Sequence, residues 1–378
     1  MSELTRVSET PRVTELEDGT KVYRTAQWSP PGCHGVGCGL KAFVKDGKLV
    51  KVEGDPDQPI TNGRLCVRCL TLPEYLYHED RLLHPMKRDR AYRGQPDKWE
   101  RISWDEAYDL ITDEFMAMKE KYGAESVIFA QGTGRDIAAY ITRLSWSFGS
   151  PNYTGLLSGQ ACYLPRIAGM AATTGAPWIP DAAQQFPERY DHPDYEVPEV
   201  MFVWGNYPLK SNIEGFYGHW VIDLMKRGMK LVTVDPKVTW LASKSELHLR
   251  VRPGTDAALA LGMMKVIIEE DLYDHEFVDN WCYGFDELAE RAKEFDVKRV
   301  SEITWVPEEK IIAAARMLGN AKNSTLQWGV AVDMTREAMP AGQAILALWE
   351  ITGNMERPGG MIVAPEILSV AGGWGREI

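Results

Sequence analysis

The sequence has 378 residues, a net charge of −12 at pH 7 and six cysteines. The acidic balance disfavours nucleic-acid binding, the length allows two or three domains, and the cysteines are too few for a disulfide-stapled fold. No apolar stretch approaches the roughly 18 residues that cross a bilayer, and the polar first segment carries no secretory signal. We therefore expect a cytoplasmic protein with reduced thiols and no membrane segment.

Four cysteines lie close together near the amino terminus. Cys33 and Cys38 form one pair, and Cys66 and Cys69 form a second pair after residues 39–65. Two such pairs on glycine-rich turns can reach a common metal, because thiolates coordinate both zinc and iron–sulfur clusters. From the spacing alone, a structural zinc ribbon and an iron–sulfur site are about equally favoured.

The segment between the two pairs alternates apolar and polar residues around Asp46 and Gly47, which predicts a β-hairpin. An amphipathic pattern then predicts a helix within residues 100–123. Ser103 is its expected N-cap, as part of a capping box, and Gly123 is its expected end.

Strand and helix patterns alternate along the rest of the chain. The apolar run that ends at Gly205 is typical of a parallel strand buried on both faces. The alternation predicts an α/β fold, with a small amino-terminal β unit followed by doubly wound, Rossmann-like lobes. The segments with strand patterns are 126–134, which runs into a glycine loop, 199–208, which breaks at Gly205 and Asn206, 229–237, 248–253 and 324–333. The segments with helix patterns are 136–149, 213–228, 255–274, 308–322 and 341–354.

The carboxyl ends of these strands carry residues suited to a nucleotide. A phosphate bound there needs a tight glycine turn and a helix N-terminus, and an acidic residue after the next strand can accept hydrogen bonds from ribose or guanine. Each feature is weak singly, since an acidic residue beside a turn is also a good helix cap. The candidates are Gly205, Asn206, Asp235, Gly254, Thr255 and Asp256.

Several motifs occur in order along the chain: NGRLCVRC, WERISWDEA, GSPN, VDPK, RPGTDAAL and NMERPGG. Together with the cysteine segment, they resemble the molybdenum and tungsten bis-pterin oxidoreductases, the dimethyl sulfoxide reductase superfamily. The resemblance covers nearly the whole chain. It is nearest to the branch that holds acetylene hydratase, transhydroxylase and the catechol dehydroxylases.

The resemblance implies two cofactors, a 4Fe-4S cluster and molybdopterin guanine dinucleotide (bis-MGD) with molybdenum or tungsten. It implies a 4Fe-4S domain over residues 26–82 and an incomplete molybdopterin oxidoreductase region over residues 83–378. It also implies that the six candidates above bind one guanine dinucleotide of the pterin cofactor.

The cluster ligands depart from the family pattern, because Cys33 is out of register with it and Cys69 is additional. The resemblance implies Cys33, Cys38 and Cys66 as ligands, with either Cys69 or His34 as the fourth. Cys69 is favoured, since thiolate stabilises ferric iron better than imidazole does.

Three further residues are assigned by the resemblance. Cys162 lies where the family places the catalytic protein ligand to molybdenum or tungsten, and a soft thiolate suits that metal; the alternative is an inert core cysteine. Arg68 lies where relatives often carry a lysine between cluster and pterin, or it is a solvent-exposed arginine. Arg166 faces an anionic cofactor or substrate, or it forms a surface ion pair.

Members of this superfamily are much longer than this chain, so we expect that the carboxy-terminal half of the family fold is missing. Three explanations stay open: a split enzyme completed by a second polypeptide, a truncated fragment, or a true short form. The implied function is the iron–sulfur- and pterin-binding portion of an oxidoreductase acting on a small organic substrate, dehydroxylase or hydratase-like. Electrons would pass through the cluster to or from an electron-transfer protein or second half-subunit. The alternatives are a non-catalytic electron-transfer or truncated subunit that keeps only the cluster, and a zinc-stabilised fragment.

Overall fold

The structure is a computed structural model that describes residues 11–27, 38–58, 61–132, 138–154, 164–176, 178–181, 196–210 and 217–363. The chain divides into two compact units, unit 1 (Met1–Ser158) and unit 2 (Gly159–Ile378). None of the helices within the described ranges has both the length and the apolar character needed to cross a membrane.

Unit 1 begins with an antiparallel sheet in which each strand pairs with the next along the chain. Asp46 and Gly47 form the turn between the third and fourth strands with φ angles of 49° and 76°, as a two-residue hairpin turn of the primed type requires. The predicted hairpin is therefore confirmed. The four strands are β1 (Val13–Glu15), β2 (Lys21–Gln27), β3 (Cys38–Lys45) and β4 (Lys48–Gly54).

The remainder of unit 1 consists of helices and very short strands. They are α1 (Val67–Leu70), α2 (Leu72–Leu76), β5 (Met86–Lys87), β6 (Glu100–Arg101), α3 (Trp104–Tyr122), β7 (Phe129–Ala130), α4 (Ala138–Phe148) and β8 (Tyr153–Thr154).

Helix α3 begins and ends where the sequence predicts. The Ser103 hydroxyl accepts a hydrogen bond from the Glu106 N–H at 3.0 Å, and Gly123 ends the helix with φ of 87°. The predicted capping box is only half formed, because the Glu106 carboxylate accepts a hydrogen bond from Lys87 Nζ at 2.6 Å.

The buried strand predicted before the glycine loop, within residues 126–134, is wrong in length and burial. Only Phe129 and Ala130 form β7, which pairs in parallel with β8, and the side chain of Ile128 before it is exposed. Three aromatic rings join β7 to helices α3 and α4 instead. Phe115, Phe129 and Phe148 pack edge to face with centroids 5.7 Å apart.

Unit 2 contains the longer alternation of strands and helices. Its elements are α5 (Leu164–Thr174), β9 (Trp178–Pro180), β10 (Val200–Trp204), α6 (Tyr217–Lys226), β11 (Lys230–Val234), α7 (Trp240–Lys244), β12 (Leu247–Leu249), α8 (Asp256–Glu269), α9 (His275–Trp281), α10 (Phe285–Ala292), α11 (Val297–Thr304), α12 (Glu308–Gly319), β13 (Ser324–Trp328), α13 (Val330–Asp333), α14 (Ala338–Ile351) and β14 (Met361–Val363).

The core of unit 2 is a parallel sheet with strand order β12-β11-β10-β13. Strand β10 is buried along its whole length, as its continuous apolar sequence predicts for a central parallel strand. Helices α8 and α14 are also largely buried, and the Trp349 ring of α14 packs edge to face on Phe202 of β10 at 5.3 Å. The α/β fold class is confirmed.

Strand order in this sheet reverses at β10. The chain runs outward from β10 to β11 and β12, and it then returns to place β13 on the other side of β10. The crevice between the carboxyl ends of β10 and β13 is thus a topological switch point, where open α/β sheets bind ligands.

Candidate functional site

The cysteine segment of unit 1 contains a close backbone contact between the end of β4 and the loop that follows it. Cys38 begins β3, and after β4 a loop leads to Cys66, which caps α1. A Cβ atom at Gly54 would overlap the carbonyl oxygen of Gly63, so this approach of the loop to β4 requires glycine. Helix α1 consequently lies against β4.

Three thiols meet in this segment. The Cys69 thiol interacts with the sulfur atoms of Cys38 and Cys66, and these three cysteines form no disulfide. The hydrogen bonds to Cys38 and Cys66, together with burial, raise the pKa of Cys69. The hydrogen bond from the Cys69 thiol lowers the pKa of Cys66 to about 6, with help from the Cys69 and Arg68 N–H groups and the Arg68 charge.

This donor set fits a thiolate-ligated iron–sulfur cluster. Cys38 and Cys69 are each only 1% exposed, and thiolates are the ligands that hold such clusters. No three His, Cys, Asp or Glu side chains of the described ranges are placed to hold one single metal ion, whereas each thiolate of a 4Fe-4S cluster binds a separate iron atom. Cys33 and His34 lie outside the described residues, so the fourth ligand stays a prediction.

Polar contacts beside the cysteines were not anticipated from the sequence. Arg24 Nε donates to Asp55 Oδ2 at 2.8 Å and ties β2 to the end of β4. The Gly39 N–H, next to Cys38, donates to the Thr61 hydroxyl at 3.3 Å. Asp55 directly follows β4, and nothing in the local sequence indicated that it pairs with Arg24.

The switch point of unit 2 is shaped by two glycines. Gly205 follows β10 with φ of 58°, and Gly329 follows β13. A Cβ at Gly329 would lie 2.5 Å from the Gly205 carbonyl oxygen and 2.8 Å from Asn206 Cβ. The two strand ends therefore approach each other closely at the switch point, the place where open α/β sheets bind ligands. Gly329 was missed because strand order is not visible in the sequence.

The predicted nucleotide-binding residues lie along the same edge of the sheet, because parallel strands share their carboxyl ends. Asn206 is buried directly after β10. Asp235 follows β11, and its Oδ1 accepts a hydrogen bond from the Lys237 N–H at 2.7 Å. Gly254 and Thr255 form the turn before α8, with φ of 83° at Gly254.

Asp256 is buried and hydrogen-bonded to a core side chain. Its Oδ1 accepts a 2.7 Å hydrogen bond from the indole of Trp204, and the residue is 7% exposed. Burial raises the pKa of the Asp256 carboxyl, and the bond from Trp204 opposes that rise. Oδ1 of Asp256 is thus already hydrogen-bonded to the buried Trp204. Contact between Asp256 and guanine stays a prediction.

Cys162 lies outside the described residues, whose next helix, α5, begins at Leu164. Arg166, in the first turn of α5, forms a partly buried ion pair rather than a surface one, and its side chain is 17% exposed. Its Nη2 pairs with Asp333 Oδ2 at 2.5 Å, and the Asp333 side chain is fully buried. Asp333, like Gly329, was missed, because it is far from Arg166 in sequence.

The comparisons with known proteins agree with this architecture. The sequence model of the molybdopterin oxidoreductase family matches residues 81–373, and that of the molybdopterin oxidoreductase Fe4S4 domain matches residues 31–78. The chain therefore belongs to the molybdopterin oxidoreductases. The family prediction is confirmed, and with it the cofactor types, a molybdenum or tungsten pterin and a 4Fe-4S cluster.

Among individual proteins, the chain is 33% identical to acetylene hydratase of Syntrophotalea acetylenica over 334 residues, 87% of this chain and 43% of the relative. It is 32% identical to the probable oxidoreductase YoaE of Bacillus subtilis strain 168 over 330 residues, 85% of this chain and 45% of the relative. The solved structure of acetylene hydratase from Pelobacter acetylenicus matches with a TM-score of 0.70 and 31% identity, over 90% of this chain and 44% of that one. The chain thus spans less than half the length of these relatives.

Proposed function

We propose that this chain is the iron–sulfur- and molybdopterin-binding portion of a molybdenum or tungsten oxidoreductase that acts on a small organic substrate. The observation that carries the proposal is the meeting of Cys38, Cys66 and Cys69 in the segment that the Fe4S4 domain model matches. When bound, the metal–pterin supplies two-electron chemistry at the substrate and the cluster supplies single-electron transfer.

In this proposal, residues 26–82 form the cluster domain, and Cys33, Cys38, Cys66 and Cys69 hold the cluster. Arg68 lies on α1 between two of these ligands, and its positive charge contributes to lowering the pKa of Cys66. The same charge would lower the free-energy cost of adding an electron to the cluster, since it offsets the added negative charge.

Residues 83–378 form the pterin-binding region. Gly205 and its neighbours bind one guanine dinucleotide at the switch point, since the carboxyl-end edge of a parallel sheet is where nucleotides bind in such folds. Cys162 is the proposed protein ligand to molybdenum or tungsten. The remaining binding residues in this proposal are Asn206, Asp235, Gly254, Thr255 and Asp256.

Two reaction classes are proposed. Addition or removal of water at a small organic molecule is suggested by the relative named acetylene hydratase, and reductive dehydroxylation is suggested by the resemblance of the motifs to the branch that includes catechol dehydroxylases. Hydration adds water and needs no electrons. Reductive dehydroxylation consumes two electrons and two protons and releases the hydroxyl group as water, so it needs an electron-transfer partner.

The test is the composition of the protein purified without oxygen, together with any polypeptide that completes it. We expect about four iron atoms per chain, molybdenum or tungsten, and guanosine monophosphate released from the pterin by acid. Iron without pterin would support a non-catalytic relay instead. Zinc without iron would contradict both functions.

Dependence of turnover on a reduced dye then separates the two reaction classes. Reductive dehydroxylation stops when the dye is omitted, because its electrons come from outside the substrate. Hydration continues without the dye once the metal is in its active state.

A further inference from the structure

Arg166 makes several contacts with one short stretch of unit 2. Its Nη1 donates to the carbonyl oxygen of Trp328 at 3.3 Å, and its Nη2 pairs with Asp333 Oδ2 at 2.5 Å. Its guanidinium also lies over the Trp328 ring, 5.0 Å from the centroid. One side chain therefore holds the last residue of β13 and the last residue of α13.

The ion pair is reinforced from the backbone. The N–H of Arg166 donates to Asp333 Oδ1 at 3.1 Å, so both carboxylate oxygens of Asp333 accept hydrogen bonds from the same residue. The side chain of Asp333 is fully buried, and that of Arg166 is 17% exposed. Removal of either partner would leave a buried charge without its counterion.

The stretch held in this way, residues 328–333, begins at the carboxyl end of β13 and forms one side of the switch point. Gly329 donates its N–H to the carbonyl oxygen of Trp204 at 3.0 Å, and it approaches Gly205 and Asn206 closely. The position of Gly329 relative to the end of β10 sets how closely the two strand ends approach there. Arg166 fixes that position from the residue on one side of Gly329 and from Asp333 on the other.

We propose that Arg166 and Asp333 are positioning residues for the guanine-dinucleotide end of the pterin cofactor, because they hold the 328–333 turn against the end of β10. This inference rests on the proposed function. Neither residue touches the nucleotide in this proposal. Since α5 begins two residues after Cys162, the pair also ties the chain that follows this cysteine to the nucleotide-binding edge.

Stability alone would not require an ion pair here. Replacing a buried ion pair by apolar residues of similar size is often neutral or stabilising, whereas removing one partner is strongly destabilising. An apolar pair would restore packing but not the hydrogen bond to the Trp328 carbonyl or the bidentate hold on the turn. The double variant Arg166→Met with Asp333→Leu therefore separates positioning from folding.

The experiment measures acid-released guanosine monophosphate per iron atom in the anaerobically purified protein, together with the rate at which the nucleotide is lost during dialysis. Iron reports independently on the cluster, and circular dichroism and gel filtration report on folding. We expect the double variant to be folded and to keep its iron, but to lose nucleotide about tenfold faster than wild type or more. The single variant Arg166→Lys keeps the positive charge opposite Asp333, so it should lose nucleotide more slowly than the double variant.

The matched control is Arg316→Met, which breaks the exposed ion pair of Arg316 with Glu270 in the same unit and should leave nucleotide retention unchanged. Wild-type retention in a folded double variant would overturn the positioning role and leave the proposed function intact. A wild-type protein with iron but no guanine nucleotide would overturn both.

Discussion

The indole Nε1 of Trp204 donates a 2.7 Å hydrogen bond to Oδ1 of Asp256, which joins the end of β10 to the start of α8. Trp204 is 0% exposed, so its N–H has no access to water. We expect Asp256→Ala to lower the free energy of unfolding by about 1–3 kcal/mol, because the indole N–H is left buried without an acceptor. Urea denaturation at neutral pH measures the loss.

Asp256→Asn is the matched control, since its amide oxygen can still accept the bond. Its free energy of unfolding should lie between that of wild type and that of the alanine variant. An alanine variant as stable as wild type would show that this bond does not hold β10 to α8.

Glu350 predicts a pH dependence of stability. It lines a groove of about 1080 Å³ in unit 2 together with Cys282 and Glu356, and its Oε1 is buried without a hydrogen-bond partner among the described residues. Burial raises the pKa of Glu350 from 4.5 to about 7. Burial of Cys282 itself, with the negative charges of Glu350 and Asp274, raises the pKa of that thiol to about 11.

Between about pH 4.5 and 7, the folded protein therefore keeps a proton on Glu350 that the unfolded chain has already lost. Because of this, the free energy of unfolding should fall as the pH rises through that window, by up to about 3 kcal/mol. Glu350→Gln should remove this part of the slope in urea denaturation measured at several pH values. Glu356→Gln, at an exposed position on the same groove, should keep it, and an unchanged slope in Glu350→Gln would contradict the assignment.

Asn354, in the NMERPGG motif, is fully buried and joins α14 to β13. Its Oδ1 accepts from the Ser324 N–H at 2.7 Å, and its Nδ2 donates to the Thr352 hydroxyl at 2.8 Å. We expect Asn354→Ala to cost about 2–3 kcal/mol of unfolding free energy, because it leaves the buried Ser324 N–H unpaired. Thermal denaturation tests this against Asn320→Ala, an exposed control that should stay near wild type.

The cluster ligands predict a selective loss of iron. Cys66→Ser should weaken iron retention by at least about 10–100-fold, since even residues that only support a metal ligand have effects of that size. Cys282→Ser removes a thiol from unit 2 and should leave the iron content unchanged. Equal iron in both variants would remove Cys66 from the ligand set.

The fourth ligand is tested by comparing Cys69→Ser with His34→Ala. Because the Cys69 thiol already contacts two other sulfur atoms, we expect the serine variant to lose iron and the alanine variant to keep it. The reverse result would assign the position to His34 and raise the expected reduction potential of the cluster.

Local patterns predicted much of the fold. The Asp46-Gly47 turn, the cap at Ser103 and the buried run of β10 are each decided by residues close together in sequence, and the structure contains all three elements. The strand before Gly132 was overestimated, because an apolar run predicts burial without showing whether a neighbouring strand is long enough to extend it.

Features that depend on contacts between distant segments were not predictable in the same way. The sequence motifs indicated Gly205 but not Gly329, because the placement of β13 beside β10 is decided by the packing of the whole sheet. Arg166 was noticed through its position after Cys162. Its partner Asp333 was not, since nothing local distinguishes a buried aspartate from one at the surface.

The most direct test of the account is low-temperature electron paramagnetic resonance of the anaerobically purified protein after reduction with dithionite. We expect the fast-relaxing signal of a reduced 4Fe-4S cluster in wild type, and its loss in Cys66→Ser but not in Cys282→Ser. A reduced wild-type protein without iron and without any such signal would contradict the central claim that these thiols hold a cluster.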